Sequence, residues 1–182
     1  MPDDRPWYRE PETFIALAAL VVSVSAVVVG VYEAALQRRH DRAEVWPHPE
    51  IATFITPKGA SVYLQNNGIG PAIVRSIEVA VDGKPVRSWA DVLAAILGKS
   101  GSNFNVATVA GHGIRAGDRI EMLGLPAEEL PPDFWKAVGR VAVRVCYASV
   151  FGDLGEVTDV LGTSDVWRDV DRCPAQRDST DF

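Results

Sequence analysis

Hydrophobic and polar positions divide this chain into two regimes. From Phe14 to Tyr32 the sequence FIALAALVVSVSAVVVGVY runs nineteen residues without a charge. As a helix rising about 1.5 Å per residue it spans roughly 30 Å, the thickness of a bilayer's hydrocarbon core. No water there satisfies stray backbone groups, so a helix is the form a single span must take. Pro11 suits a first helical turn, Glu12 complements the positive N-terminal end, and EAALQRRHDRAE continues the pattern until Pro47. The pattern predicts a tail over 1–11 and one helix over 12–45.

After Pro47 the period shortens to about two. IATFIT (51–56), SVYLQN (61–66), AIVRSIEVAV (72–81), FNVATVA (104–110), RIEML (119–123), RVAVRVCYASV (140–150) and EVTDVL (156–161) read as strands. Asp82-Gly83 marks a hairpin, and FGDLG joins the last two strands. Two short helices interrupt the series: WADVLAAIL, N-capped by Ser88 and stopped by Gly98, and DFWKAV, ended by Gly139. The expected class is mainly β: a transmembrane helix, then an antiparallel β-sandwich of immunoglobulin-like layout over 48–162 with two inserted helices. A small barrel is the alternative. From Thr163 the chain is rich in Asp, Arg and Ser, so 163–182 is expected to be an acidic, disordered tail.

A formal charge of −6 argues against nucleic acid as a partner, which needs a basic face. The head MPDDRPWYREPE has four acids against two arginines, unlike a signal peptide's basic start, and the apolar run exceeds a signal's usual length. The bilayer is therefore the expected partner, through a retained single-pass anchor in a cell (inner) membrane. Arg38, Arg39 and Arg42 follow the span and Arg5 and Arg9 precede it, an excess of one that places the C-terminal domain in the cytoplasm. Cys146 and Cys173 would then be reduced thiols; a bridge between them requires an oxidising side.

Three groups of residues stand out. Ala16, Ala19, Ser23, Ala26 and Gly30 fall on one helical stripe, a face where a second copy of the helix can approach closely, although small residues are frequent in any membrane helix. Arg38, Arg39 and Arg42 lie at headgroup height, where setting topology suffices as their role. Trp89, Phe104, Phe134 and Trp135 lie on or near the inserted helices; they form a partner patch if exposed, and cap the open ends of the sheets if buried.

Catalytic chemistry is not prominent. NNGIGPA lacks the GK[ST] of a phosphate loop, His112 has no accompanying nucleophile motif, and His40, His48 and His112 lie on separate elements without metal-ligand spacing. No cofactor, metal or catalytic residue is assigned.

The segments ALQRRHDRAEVWP, LQNNGIGPA, VDGKPV and VCYASVFG resemble a group of uncharacterised bacterial proteins with one N-terminal membrane helix and a small β domain. The resemblance covers most of residues 35–152 and implies that architecture but no activity. The expected function is a non-enzymatic, membrane-anchored module that binds or scaffolds an unknown protein. The alternative is a ligand-gated membrane effector, of bacterial defence or stress, whose β domain senses a small molecule and clusters the helices.

Overall fold

A computed structural model of the chain describes residues 11–98, 103–176, 180 and 182. The chain divides into two compact units, residues 1–43 and 44–182. In the first, helix α1 (Pro11–Glu44) contains a stretch, Pro11–Arg42, long and apolar enough to cross a membrane. The Ser23 and Ser25 hydroxyls donate to the carbonyls of Ala19 and Val21, at 2.7 and 2.8 Å, so both polar groups are satisfied within the helix.

The second unit holds strands β1 (Pro49–Thr56), β2 (Gly59–Asn66), β3 (Ala72–Val81) and β4 (Lys84–Pro85), then helix α2 (Trp89–Leu97). Strands β5 (Asn105–Val106), β6 (Gly113–Ile114) and β7 (Arg119–Pro126) follow, then helix α3 (Phe134–Val138). The series ends with β8 (Val141–Ala148), β9 (Leu154–Val160) and β10 (Val166–Asp169). They build two antiparallel sheets, β1-β2-β7-β5 and β10-β9-β8-β3-β4, with β6 also paired to β3. Alternation along the strands explains the core. Val62, Leu64, Leu123 and Leu125 from the first sheet and Val79, Val143, Val145 and Val157 from the second are buried in one apolar cluster.

Local chemistry accounts for the connections. Asp82 and Gly83 both take positive φ, 51° and 75°, which the β3–β4 hairpin needs. Ser88 Oγ accepts the Asp91 N–H at 3.1 Å, and Gly98 closes α2 in the left-handed region. Asn66, fully buried, holds the loop that follows β2. Its amide donates to the Gly70 and Ile114 carbonyls at 2.8 and 3.1 Å, and its Oδ1 accepts from the N–H groups of His48 and Gly68. Composition identifies this asparagine as a turn former; folding makes it the hub of the loop.

Three expectations need correction, the first being that Cys146 and Cys173 are reduced thiols: they are bonded to each other. Only Asn105 and Val106 of the segment 104–110 pair as a strand, and the neighbouring turn supplies the additional short strand β6. The segment after Thr163 is not a disordered tail where it is described. Val166–Asp169 pairs with β9, Cys173 is bonded to Cys146, and Gln176 Oε1 accepts the Ile77 N–H at 2.9 Å. Phe182 is 1% exposed and meets the Trp89 ring edge-on at 5.4 Å. A polar composition argues for disorder only while a segment has nothing to hold it, and this one has a covalent tie, an edge strand and an aromatic anchor. Residues 177–179 and 181 lie outside the described residues.

The Cys146–Cys173 bridge closes a separation of 27 residues with the Cα atoms 5.6 Å apart. Loop-closure entropy for that separation corresponds to about 3–4 kcal/mol. Replacing both cysteines with serine is expected to lower stability by about 2–4 kcal/mol. It should also make the chain after Val160 the first site of limited proteolysis. Denaturant unfolding and timed proteolysis of wild type and variant, without reductant, check both; an unchanged midpoint and cleavage pattern would contradict the tie's role.

Candidate functional site

The residues singled out by sequence do not assemble into one site. The stripe Ala16, Ala19, Ser23, Ala26 and Gly30 is exposed along α1, and so are Arg38, Arg39 and Arg42. Trp89 and Phe134 are buried in the core at 1% and 7% exposure, and Phe104 packs against it. Trp135 alone of the four is well exposed, at 56%. The suggested partner patch is thus corrected. The apolar faces of α2 and α3 turn Trp89 and Phe134 inward, Phe104 packs against the core from the segment before β5, and one exposed tryptophan is not a patch.

The two sheets present different outer faces. On β3, β8 and β9 the outer row carries ions: Arg144 lies 3.6 Å from Glu78 and 3.5 Å from Glu156, and Arg168 of β10 lies 2.5 Å from Glu156. Glu156 is 4% exposed, so these two guanidiniums compensate a buried carboxylate. Cys146 points to this same side, opposite the core-facing Val145, and its bridge carries the C-terminal segment to it.

The outer face of β1, β2 and β7 is more varied. Alternation and strand register give three rows: Glu50–Gln65–Arg119, Ala52–Tyr63–Glu121, and Phe54–Ser61–Gly124–Asn105. A bulge between Tyr63 and Val62 lets Met122 and Leu123 both turn inward and returns Glu121 to the outside. Phe54 meets Tyr63 edge-on at 5.6 Å, and the Arg119 guanidinium lies 4.8 Å from the Tyr63 ring centroid. The Gln65 amide donates to Glu50 at 3.2 Å.

Gly124 leaves a gap in the third row. Glu121 leans over it, so an added Cβ there would lie 2.7 Å from Glu121 Oε1, and the Ser61 hydroxyl donates to that oxygen. The result is an open groove of about 260 Å³ whose lining includes Lys58, Ser61, Phe104, Asn105, Glu121 and Gly124. Sequence reasoning placed these strands but missed the face. The signal was the polar and aromatic set Ser61, Tyr63 and Gln65 on alternate positions of β2, which gains meaning only once register sets it beside β1 and β7.

A second polar feature sits where β1 approaches β9. Asp159 is 3% exposed, its Oδ1 accepts the Thr163 hydroxyl at 3.0 Å, and burial raises its pKa. Asp165 Oδ2 accepts the Ile51 N–H at 3.1 Å. Among the described residues, the buried Asp165 Oδ1 and Thr53 hydroxyl have no partner. Burial pushes the Asp165 carboxyl up to about 6; the Ile51 N–H opposes this, while Asp159 and Glu50 add to it. Beside this seam the His48 ring stacks on Trp167 at 4.5 Å, and the Trp167 indole donates to the Pro49 carbonyl at 2.7 Å.

The carboxyl of Asp165 is raised, so the folded chain holds that proton more tightly than the unfolded chain. Its contribution favours folding at acid pH and is lost as pH rises through about 6. Allowing for partial solvent access, the charged form costs about 1–2 kcal/mol at pH 7.5. Asp165→Asn is expected to stabilise the chain by about that amount at pH 7.5 and to be neutral only near about pH 3, below the range where the unfolded carboxyl ionises, measured by denaturant midpoints. A variant less stable than wild type at pH 7.5 contradicts this reading.

Among the described residues, no group of three or more His, Cys, Asp or Glu is arranged to hold a metal ion. No protein-family model matches the chain and no curated protein is significantly similar to it, so the resemblance to single-pass proteins with a small β domain gains no support from these comparisons.

Proposed function

We propose that this chain is a non-enzymatic single-pass membrane protein whose two sheets, packed as an immunoglobulin-like sandwich, display a protein-binding face on the outer surface of β1, β2 and β7. The observation that carries the reading is the cluster of Phe54, Tyr63 and Arg119 on that surface. Aromatic rings and arginine are the side chains most enriched at the centres of protein interfaces. Ion pairs and the C-terminal segment cover part of the opposite outer face, which supports the choice of this one.

The domain sits on the oxidising side of the membrane in this reading, which reverses the side favoured by the arginines. The arginine excess amounts to one residue, whereas the Cys146–Cys173 bridge requires an environment where thiols oxidise and stay oxidised. The groove over Gly124 favours the second reading, a small-molecule sensor, and the same face serves both.

A photoreactive residue introduced at Phe54 of the full chain in its native membrane is expected to form discrete protein adducts. Arg119→Glu should abolish them while leaving thermal stability within a few degrees of wild type. A probe at Val160, on the second sheet, should not form them. Adducts that are absent, or identical from both positions, contradict a specific binding face.

A further inference from the structure

We propose that the groove over Gly124 binds a neutral, hydroxyl-rich ligand: one pyranose ring of a saccharide. The inference rests on the outer face of β1, β2 and β7 being a binding surface, and it names the ligand chemistry of one part of that surface.

Four observations converge. The hollow lies at a break in a row of side chains, where the Glu121 carboxylate leans over Gly124. Across the sheet the order is Phe54, Ser61, Gly124, Asn105, and only the third position lacks a side chain. The groove is below the roughly 300–1,000 Å³ of sites for drug-sized ligands, so its 260 Å³ suits a single ring.

The polar groups around the hollow match hydroxyls in kind. Glu121 only accepts, its Oε1 is occupied by the Ser61 hydroxyl, and its Oε2 is the oxygen left to meet a ligand. The Asn105 amide both donates and accepts, and Lys58 donates. Neighbouring hydroxyls on a sugar ring each donate and accept, so a carboxylate beside an amide can engage two of them together.

Charge selects against the other small polar ligands. One carboxylate and one ammonium line the groove, so it lacks the clustered cations a phosphate needs. A cationic ligand would meet Lys58 as well as Glu121. A ligand without net charge fits that balance.

The flanks supply apolar surface. Phe104, half-buried against the core, lines the groove, and Tyr63, outside the lining, is the cross-strand neighbour of Glu121. A pyranose presents C–H groups on its faces and hydroxyls around its rim, so apolar flanks beside a polar hollow suit it.

The full chain in lipid nanodiscs is the material for the test, with methyl α-glucoside, methyl α-mannoside and N-acetylglucosamine as probes and glucose 6-phosphate as the charged control. Saturation-transfer NMR is expected to show transfer to ring protons of at least one neutral sugar. The signal should fall at least fivefold in Glu121→Ala and in Asn105→Ala, two surface substitutions whose melting temperatures serve as the folding check. Transfer to none of the neutral sugars, transfer in both variants unchanged from wild type, or stronger transfer to glucose 6-phosphate each overturns the saccharide assignment. If the sugars fail while the Phe54 adducts persist, the ligand chemistry is wrong and the binding face stands; if both fail, the face itself is wrong.

Discussion

The bond between Cys146 and Cys173 sets what each surface of the β domain can do. Cys146 lies out of step with Val143 and Val145, on the side of β8 facing away from the core. A bridge from that side draws the C-terminal segment to the second sheet. Around it gather β10 on the edge of β9, the Arg168–Glu156 pair, the Gln176 contact to the Ile77 N–H, and Phe182 against Trp89. A single hydrogen bond among these is worth about 1 kcal/mol net, and burial of the Phe182 ring about 1.5–3 kcal/mol. Holding the segment close lets them act together, because the entropy of bringing it back has already been removed. With part of one outer face used in this way, the face of β1, β2 and β7 is the surface proposed for recognition.

The same segment brings Asp165 to the backbone of β1. That carboxylate closes the seam between the sheets with one hydrogen bond to Ile51, at the cost of burying a charge near Asp159 and Glu50. A seam of this kind is weaker at neutral pH than an amide in the same place would be. The structure therefore combines a covalent tie with a proton-sensitive one on the same C-terminal segment.

How much of this the sequence announces depends on the range of the interaction. Short-range signals were legible: the uncharged run of α1, the Ser88 cap and Gly98 stop of α2, the Asp82-Gly83 turn, and the alternating valines of β8. Signals that need a distant partner were not. Nothing local in VWRD marks it as a strand until β9 is beside it, and the Cys146–Cys173 bridge, the one pairing two cysteines allow, is tied to an oxidising side that the arginines argue against. The rings of Trp89 and Phe134 were visible as a group, but which way a short helix turns them is decided by packing. The groove is the extreme case: Gly124, Ser61 and Glu121 acquire a shared role only through register and a bulge that no periodicity displays.

The most direct test of the central claim is the oxidation state of the two cysteines in intact cells, read together with the side of the membrane that holds the C-terminus. A membrane-impermeant thiol reagent should label neither Cys146 nor Cys173 until a reductant is added, and a C-terminal reporter should be active outside the cytoplasm. Two thiols that react with a permeant reagent without reduction, together with a cytoplasmic reporter, would contradict the bridge and restore the side favoured by the arginines.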